Sequence, residues 1–214
     1  MMRDPAADKA GAAASPEAAL AAKLAGRSVV LVGMMGAGKS AIGRRLAARI
    51  GLPFVDADVE IESRAGMTIA DYFDKYGEAA FRAGEVRVIS RLLDQGPQVL
   101  ATGGGAFMHP ATRAAIRAKA ISIWLKAEFD VLLRRVKRRN DRPLLKAADP
   151  TQVLKRLLVE REPIYAQADA TILSRDVAHE VIVDEIVGLL MRRLAAGDPP
   201  AATIEGINAC DRCR

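Results

Sequence analysis

The sequence predicts an α/β protein in three layers, α/β/α, with helices on both faces of a five-stranded parallel sheet. Three observations carry the prediction. Short apolar runs at Ser28–Val32, Pro53–Val55, Gln98–Ala101, Ile121–Leu125 and Ala170–Leu173 have the length of strands. Each is followed by a stretch of helical periodicity, the alternation expected of a parallel sheet covered on both sides. The composition is 50% hydrophobic but only 4% aromatic, which suits an alanine- and leucine-rich α/β core and does not fit a disordered chain. At 214 residues there is enough chain for one domain with a sizeable core, and too little for two to be expected.

The elements follow in order. Residues 1–27 are dominated by alanine, with Pro5, Gly11 and Pro16 as breakers. Ser15-Pro16-Glu17 has the pattern of a helix start, but no wide apolar face follows, so a mobile arm is expected here. The domain proper spans 28–196. After the first strand, Ile42, Leu46 and Ile50 recur at four-residue spacing with Arg44, Arg45 and Arg49 turned outward. Thr68-Ile69-Ala70-Asp71 reads as a capping box, and Thr151 as the cap of a helix carrying Val153, Leu154, Leu157 and Leu158. The last helix gathers Val181, Ile182, Ile186, Leu189 and Leu190 on one face. From 197 to 214, with Pro199 and Pro200, the chain reads as a loose tail.

Several function classes are set aside at this level. No apolar run approaches the roughly 20 residues a membrane span needs. The N-terminus resembles neither a signal peptide nor an arginine-rich transit peptide, so a soluble cytoplasmic protein is expected. The formal net charge of +6 raises the question of nucleic acid. Much of the excess lies in Arg134-Arg135-Val136-Lys137-Arg138-Arg139-Asn140-Asp141-Arg142, which lacks the aromatics of a stacking platform. The two cysteines, Cys210 and Cys213, form a lone C-x-x-C without a second pair. A reduced tail is expected rather than a zinc site.

Gly33-Met34-Met35-Gly36-Ala37-Gly38-Lys39-Ser40 matches G-x-x-x-x-G-K-[ST]. Chance supplies such a match in roughly three of a thousand chains of this composition, and this one stands between an apolar strand and an amphipathic helix. Glycines let backbone N–H groups approach phosphate oxygens, and the following helix points its positive end at the same anion. Lys39 is placed for the β- and γ-phosphates and Ser40 for Mg²⁺. No Asn-Lys-x-Asp run exists to read guanine. A kinase of small molecules is the expectation.

The acceptor side draws on strand ends, where a parallel sheet opens its ligand crevice. Phe54-Val55-Asp56-Ala57-Asp58 ends the second strand in two carboxylates. As alternating strand residues both would face the phosphate loop, one toward hydrated Mg²⁺ and one toward an acceptor hydroxyl. Beside this stands a plainer reading, with Asp58 as a helix cap and Asp56 in a solvated turn. Thr102-Gly103-Gly104-Gly105 offers backbone N–H groups to a ligand, or is a flexible turn. Arg82, Arg142 and Arg161 are candidate forks for carboxylate or phosphate. The basic stretch, about 134–148, reads as a lid that excludes water over the phosphates rather than as a nucleic-acid patch.

Taken together, these residues resemble the shikimate kinase family. G-M-M-G-A-G-K-S, F-V-D-A-D-V-E-I-E, E-A-A-F-R-A-G-E, A-T-G-G-G-A, D-R-P-L-L and R-E-P-I-Y stand in that family's order, over about residues 27–194. The resemblance implies the fold of nucleoside monophosphate kinases, with strand order 2-3-1-4-5 and a helical lid. It implies transfer of the ATP γ-phosphate to the 3-hydroxyl of shikimate, with Mg²⁺, by a monomer that needs neither nucleic acid nor membrane. By the same resemblance Asp58 binds the acceptor hydroxyls as candidate base, and Arg82 and Arg161 hold its carboxylate. Gly104, flanked by Gly103 and Gly105, meets the ring substituents. Gly36, Ala37, Gly38, Lys39, Ser40, Ala41 and Arg135 serve ATP, and Arg142 reaches the transferring phosphate. Asp56 acts on Mg²⁺ through water beside Ser40. Ala41 departs from the pattern, since many members carry a hydroxyl there, and Leu173-Ser174-Arg175-Asp176 matches the adenine side only loosely. A gluconate kinase and a basic nucleic-acid-binding P-loop protein are the rival readings.

Overall fold

Five strands pair in parallel in the order β2-β3-β1-β4-β5, where β1 is Ser28–Val32, β2 Phe54–Asp56, β3 Val99–Ala101, β4 Ala120–Lys126 and β5 Ala170–Leu173. The computed structural model describes residues 16–138 and 149–197. The expected fold class and strand order are both present. Every residue of β1 is buried, as its central place in the sheet demands.

Side-chain alternation along β1 feeds two cores. Val29 and Leu31 face one cluster, built with Ile42, Leu46 and Ile50 of α2 (Lys39–Ile50) and Ile182, Ile186 and Leu190 of α8 (His179–Ala195). Val30 and Val32 face the other, with Ile89 and Leu92 of α4 (Ile69–Asp94) and Ile116 of α5 (Pro110–Lys119). Each such side chain contributes about 1.5–3 kcal/mol on burial. The period of two in the strand thus produces the three layers.

Local signals account for most helix ends. Gly51 closes α2 in the left-handed region at φ 70°. Thr68 caps α4, its hydroxyl oxygen accepting from the Asp71 N–H at 3.1 Å, as the capping box predicts. Inside α4, Gly77 breaks the helix with φ 80° and ψ 167°, so the segment carrying Arg82 starts afresh one residue later.

Four expectations are corrected. Residues 16–23 form a helix, α1 (Pro16–Lys23), and Leu20 and Leu24 are fully buried against α2 and α8. Two well-placed leucines anchor this helix without a wide apolar face; residues 1–15 of the expected arm lie outside the described residues. The cap of α7 (Pro150–Tyr165) is Asp149, which accepts from the N–H groups of Thr151 and Gln152, so Thr151 receives the cap rather than supplying it. Val181 is exposed, because Val183 and Val187 complete the buried face of α8. Finally, β2 ends at Asp56 and the chain turns at once into α3 (Ala57–Ala65), which takes Asp58 off the strand. Cys210, Cys213 and the tail from 198 lie outside the described residues.

Candidate active site

The loop from Gly33 to Ser40 joins β1 to α2 with φ 132° at Gly33, 82° at Gly36 and 93° at Gly38. These are conformations only glycine adopts readily. A Cβ on Gly33 would sit 2.7 Å from the Leu125 carbonyl oxygen, so the loop begins in close contact with the end of β4. Lys39 is only 9% exposed, and its ammonium donates to the carbonyls of Gly33 at 2.7 Å and Met34 at 2.9 Å. The Ser40 hydroxyl donates to Asp56 Oδ2 at 2.6 Å, while Asp56 Oδ1 accepts from the Asp58 N–H at 3.1 Å. Asp56 therefore does two jobs, capping α3 and holding Ser40. The plain reading of Asp58 as the cap is excluded.

Asp58 instead projects from the first turn of α3 toward the glycines after β3. They are more than a flexible turn. A Cβ on Gly103 would lie 2.6 Å from Asp58 Oδ1 and 3.0 Å from Glu85 Oε1. One on Gly105 would lie 2.5 Å from the Arg82 guanidinium, and one on Gly104 would lie 3.9 Å from Arg161 Nη1. Gly103 thus makes room for Asp58 and Glu85 and Gly105 for Arg82, while Gly104 lies beside Arg161, so the triplet gathers these four groups at the edge of β3.

Arg82 and Glu85 stand three residues apart on α4 and pair at 2.7 Å, with Glu78 accepting from the outer side at 3.1 Å. Glu85 is 2% exposed. Burial raises its pKa, the Arg82 charge opposes this, and Asp58 adds to the rise. Removing Arg82 therefore raises it further. A carboxyl whose folded pKa lies above its unfolded value stabilises at acid pH and loses that stability as pH climbs through the folded pKa. Arg82→Ala should accordingly cost about 2 kcal/mol, or roughly 4–8 °C in Tm, near pH 8. The deficit should shrink toward about pH 5. Thermal melts across that range check this, and a deficit independent of pH would contradict it.

Arg161, on α7, is 9% exposed and donates from Nη1 to the Gly104 carbonyl at 3.3 Å. Its buried Nε finds no partner among the described residues. One turn on, Tyr165 donates its hydroxyl to the same carbonyl. Burial pushes the Tyr165 pKa up to about 12, against the pull of Arg161, so the phenol stays a neutral donor.

On the far side of the loop, Arg135 of α6 (Phe129–Lys137) donates to Ser174 Oγ at 3.0 Å, the Arg175 carbonyl at 2.8 Å and the Gly36 carbonyl at 3.3 Å. Arg134 and Arg135 both pair with Asp176, and the Ser174 hydroxyl donates to the Ala37 carbonyl at 2.8 Å. Arg135 and Gly36 border a cleft of about 440 Å³, lined also by Lys39, Ser40, Asp56, Asp58 and Gly104 among others.

The family model described as shikimate kinase matches residues 35–191. The chain belongs to the shikimate kinase family. It is 63% identical over 191 residues to a shikimate kinase of Bradyrhizobium diazoefficiens, covering 88% of this chain and 92% of the relative. A shikimate kinase of Nitrobacter winogradskyi is 64% identical over 185 residues, covering 86% of each. Among solved structures, a shikimate kinase from Acinetobacter baumannii in complex with shikimate superposes with a TM-score of 0.78 at 36% identity, over 81% of this chain and 98% of that one.

In this shikimate kinase family member, then, the sequence-chosen residues Lys39, Ser40, Asp56, Asp58, Gly104 and Arg135 border one cleft, and Gly103, Gly105, Arg82 and Arg161 adjoin it through the glycine contacts. Arg142 and residues 139–148 of the expected lid, about 134–148, lie outside the described residues; residues 134–137 of that stretch form the last turn of α6. Glu85, Tyr165 and the cleft-lining His179 were among the residues not assigned a role from sequence. Glu85 and Tyr165 end the very stretches E-A-A-F-R-A-G-E and R-E-P-I-Y. Their spacing of three and four from Arg82 and Arg161 was the available signal.

Proposed function

We propose that this chain is a shikimate kinase, transferring the γ-phosphate of ATP to the 3-hydroxyl of shikimate to give 3-phosphoshikimate and ADP, in the chorismate route to aromatic amino acids. The observation that carries the reading is the gathering of Asp58, Arg82 and Arg161, with Glu85 paired to Arg82, on a glycine triplet beside a phosphate loop. A rigid acceptor with a carboxylate at one end and hydroxyls at the other needs that arrangement. Arg82 and Arg161 hold the carboxylate, and the Gly104 N–H contacts the ring substituents. Asp58 accepts a hydrogen bond from the reacting hydroxyl and takes its proton as transfer proceeds. Gly36, Ala37, Gly38 and Lys39 cradle the ATP phosphates, with Ala41 at the loop's end. Arg135 borders the base, and Arg142 covers the transferring group. Positioning and charge stabilisation supply most of the rate, since phosphoryl transfer asks little covalent chemistry of the protein.

The Ser40 hydroxyl and Asp56 carboxylate, 2.6 Å apart, are hard oxygen donors of the kind Mg²⁺ takes while keeping several waters. They fit an ion held directly by Ser40 and through water by Asp56. Bound there, Mg²⁺ would neutralise charge on the phosphate oxygens.

A coupled assay with ATP and Mg²⁺ tests the reading. ADP release should depend on shikimate and not on gluconate, and an absence of shikimate-dependent release would sink it. The pairing of Arg134 and Arg135 with Asp176 favours a role for these cations at the cleft over one on nucleic acid. We further propose a cytoplasmic monomer acting on small molecules alone; no described helix is long and apolar enough to cross a membrane. Gly105→Ala should raise the KM for shikimate roughly tenfold, the scale of one displaced charge-assisted hydrogen bond. The new methyl displaces the end of a flexible arginine rather than backbone, so Tm should fall by no more than the roughly 4–8 °C expected for Arg82→Ala. An unchanged KM would contradict the placement of Arg82.

A further inference from the structure

We infer that Tyr165 is a positioning residue for the acceptor, holding the Arg161 guanidinium and the Gly104 carbonyl in register with the phosphate loop. The inference rests on the reading of Arg161 as part of the carboxylate clamp. Arg161 and Tyr165 are one turn apart on α7, so their side chains share a face. Both donate to the Gly104 carbonyl, which fills its two lone pairs. Tyr165 is 1% exposed and its ring stacks on Trp124, centroids 5.9 Å apart and planes at 28°. Trp124 in turn lies against the start of the phosphate loop, its Cδ1 3.1 Å from where a Gly33 Cβ would stand. The Tyr165 hydroxyl also meets Met34 Sδ at 4.0 Å.

The ring thus spans the gap between donor loop and acceptor clamp. Arg161 is a long side chain whose Nη1 bond to Gly104 is already 3.3 Å. Left with that bond alone, the carbonyl and the guanidinium would lose their shared geometry, and a clamp displaced by a fraction of an ångström binds a rigid carboxylate poorly. The phosphate loop has its own anchors in Lys39 and Ser40 and does not depend on the phenol.

Tyr165→Phe keeps the stack and removes only the hydroxyl. In steady-state assays with each substrate varied, the KM for shikimate should rise roughly tenfold, with kcat and the KM for ATP within about twofold. Trp124 is the chain's one tryptophan, so a fluorescence titration of the folded protein with shikimate gives a dissociation constant free of turnover. It should weaken by the same factor. An unchanged shikimate constant overturns the inference, and so does an equal rise in both KM values, the pattern of a merely structural role. If the wild-type protein shows no shikimate-dependent turnover, the kinase reading itself falls and takes this inference with it. That result needs no variant, so the two failures are distinct.

Discussion

Asp58→Asn is expected to lower kcat by about 10³-fold while the ATP dissociation constant moves by less than about threefold. The substitution is close to isosteric, so the contact with Gly103, 2.6 Å from the position of a Cβ to Asp58 Oδ1, is preserved and the fold has no cause to change. The carboxylate's capacity to accept a proton is what disappears. A positioned base contributes about 10²–10⁴-fold, and loss of the charged hydrogen bond that orients the hydroxyl places the effect in the middle of that range. In the proposed arrangement ATP meets the other half of the cleft, through Lys39 and the loop N–H groups. Single-turnover phosphate transfer and calorimetric ATP binding check the two halves separately. A variant retaining a tenth or more of wild-type kcat would remove Asp58 from the chemistry.

Arg161→Ala should raise the KM for shikimate roughly a hundredfold. A planar fork gives two charge-assisted bonds to a carboxylate, each about 1.5–3 kcal/mol, and part of this is offset by water entering the vacated space. The environment decides why Arg161 should matter more than Arg82. Arg82 already pairs with Glu85 at 2.7 Å and Glu78 at 3.1 Å, so its charge toward a ligand is largely compensated. Arg161 donates to a neutral carbonyl, and its buried Nε has no partner among the described residues. That donor capacity is what a ligand carboxylate would take up. Steady-state kinetics with shikimate varied at saturating ATP checks it; an unchanged acceptor constant would show that the carboxylate is held elsewhere.

Much of this molecule is legible along the chain because its signals are local. Glycine conformations, a lysine and a serine at set spacing, and apolar runs of strand length all lie within short windows. The phosphate loop and the five strands were therefore readable directly. Errors arose where a neighbour distant in sequence decided the outcome. Residues 16–23 were expected in a mobile arm because their periodicity is weak, yet α2 and α8 supply a surface for Leu20 and Leu24. Asp56 and Asp58 were expected to alternate on a strand, but β2 stops at Asp56, whose carboxylate holds both Ser40 and the start of α3.

By itself, then, the sequence determined the class of fold and the phosphate loop, because each follows from backbone preference and alternation over a few residues; the residues of the acceptor clamp were picked out by the resemblance to the shikimate kinase family. Only the tertiary structure decided how the clamp is assembled: Glu85 buried beneath Arg82, Tyr165 sharing a carbonyl with Arg161, and a glycine triplet spaced to receive them. The reason is the position of β3 between β1 and β2. That placement brings residues 103–105 beside α3, α4 and α7 at once, and no window of sequence contains all four segments.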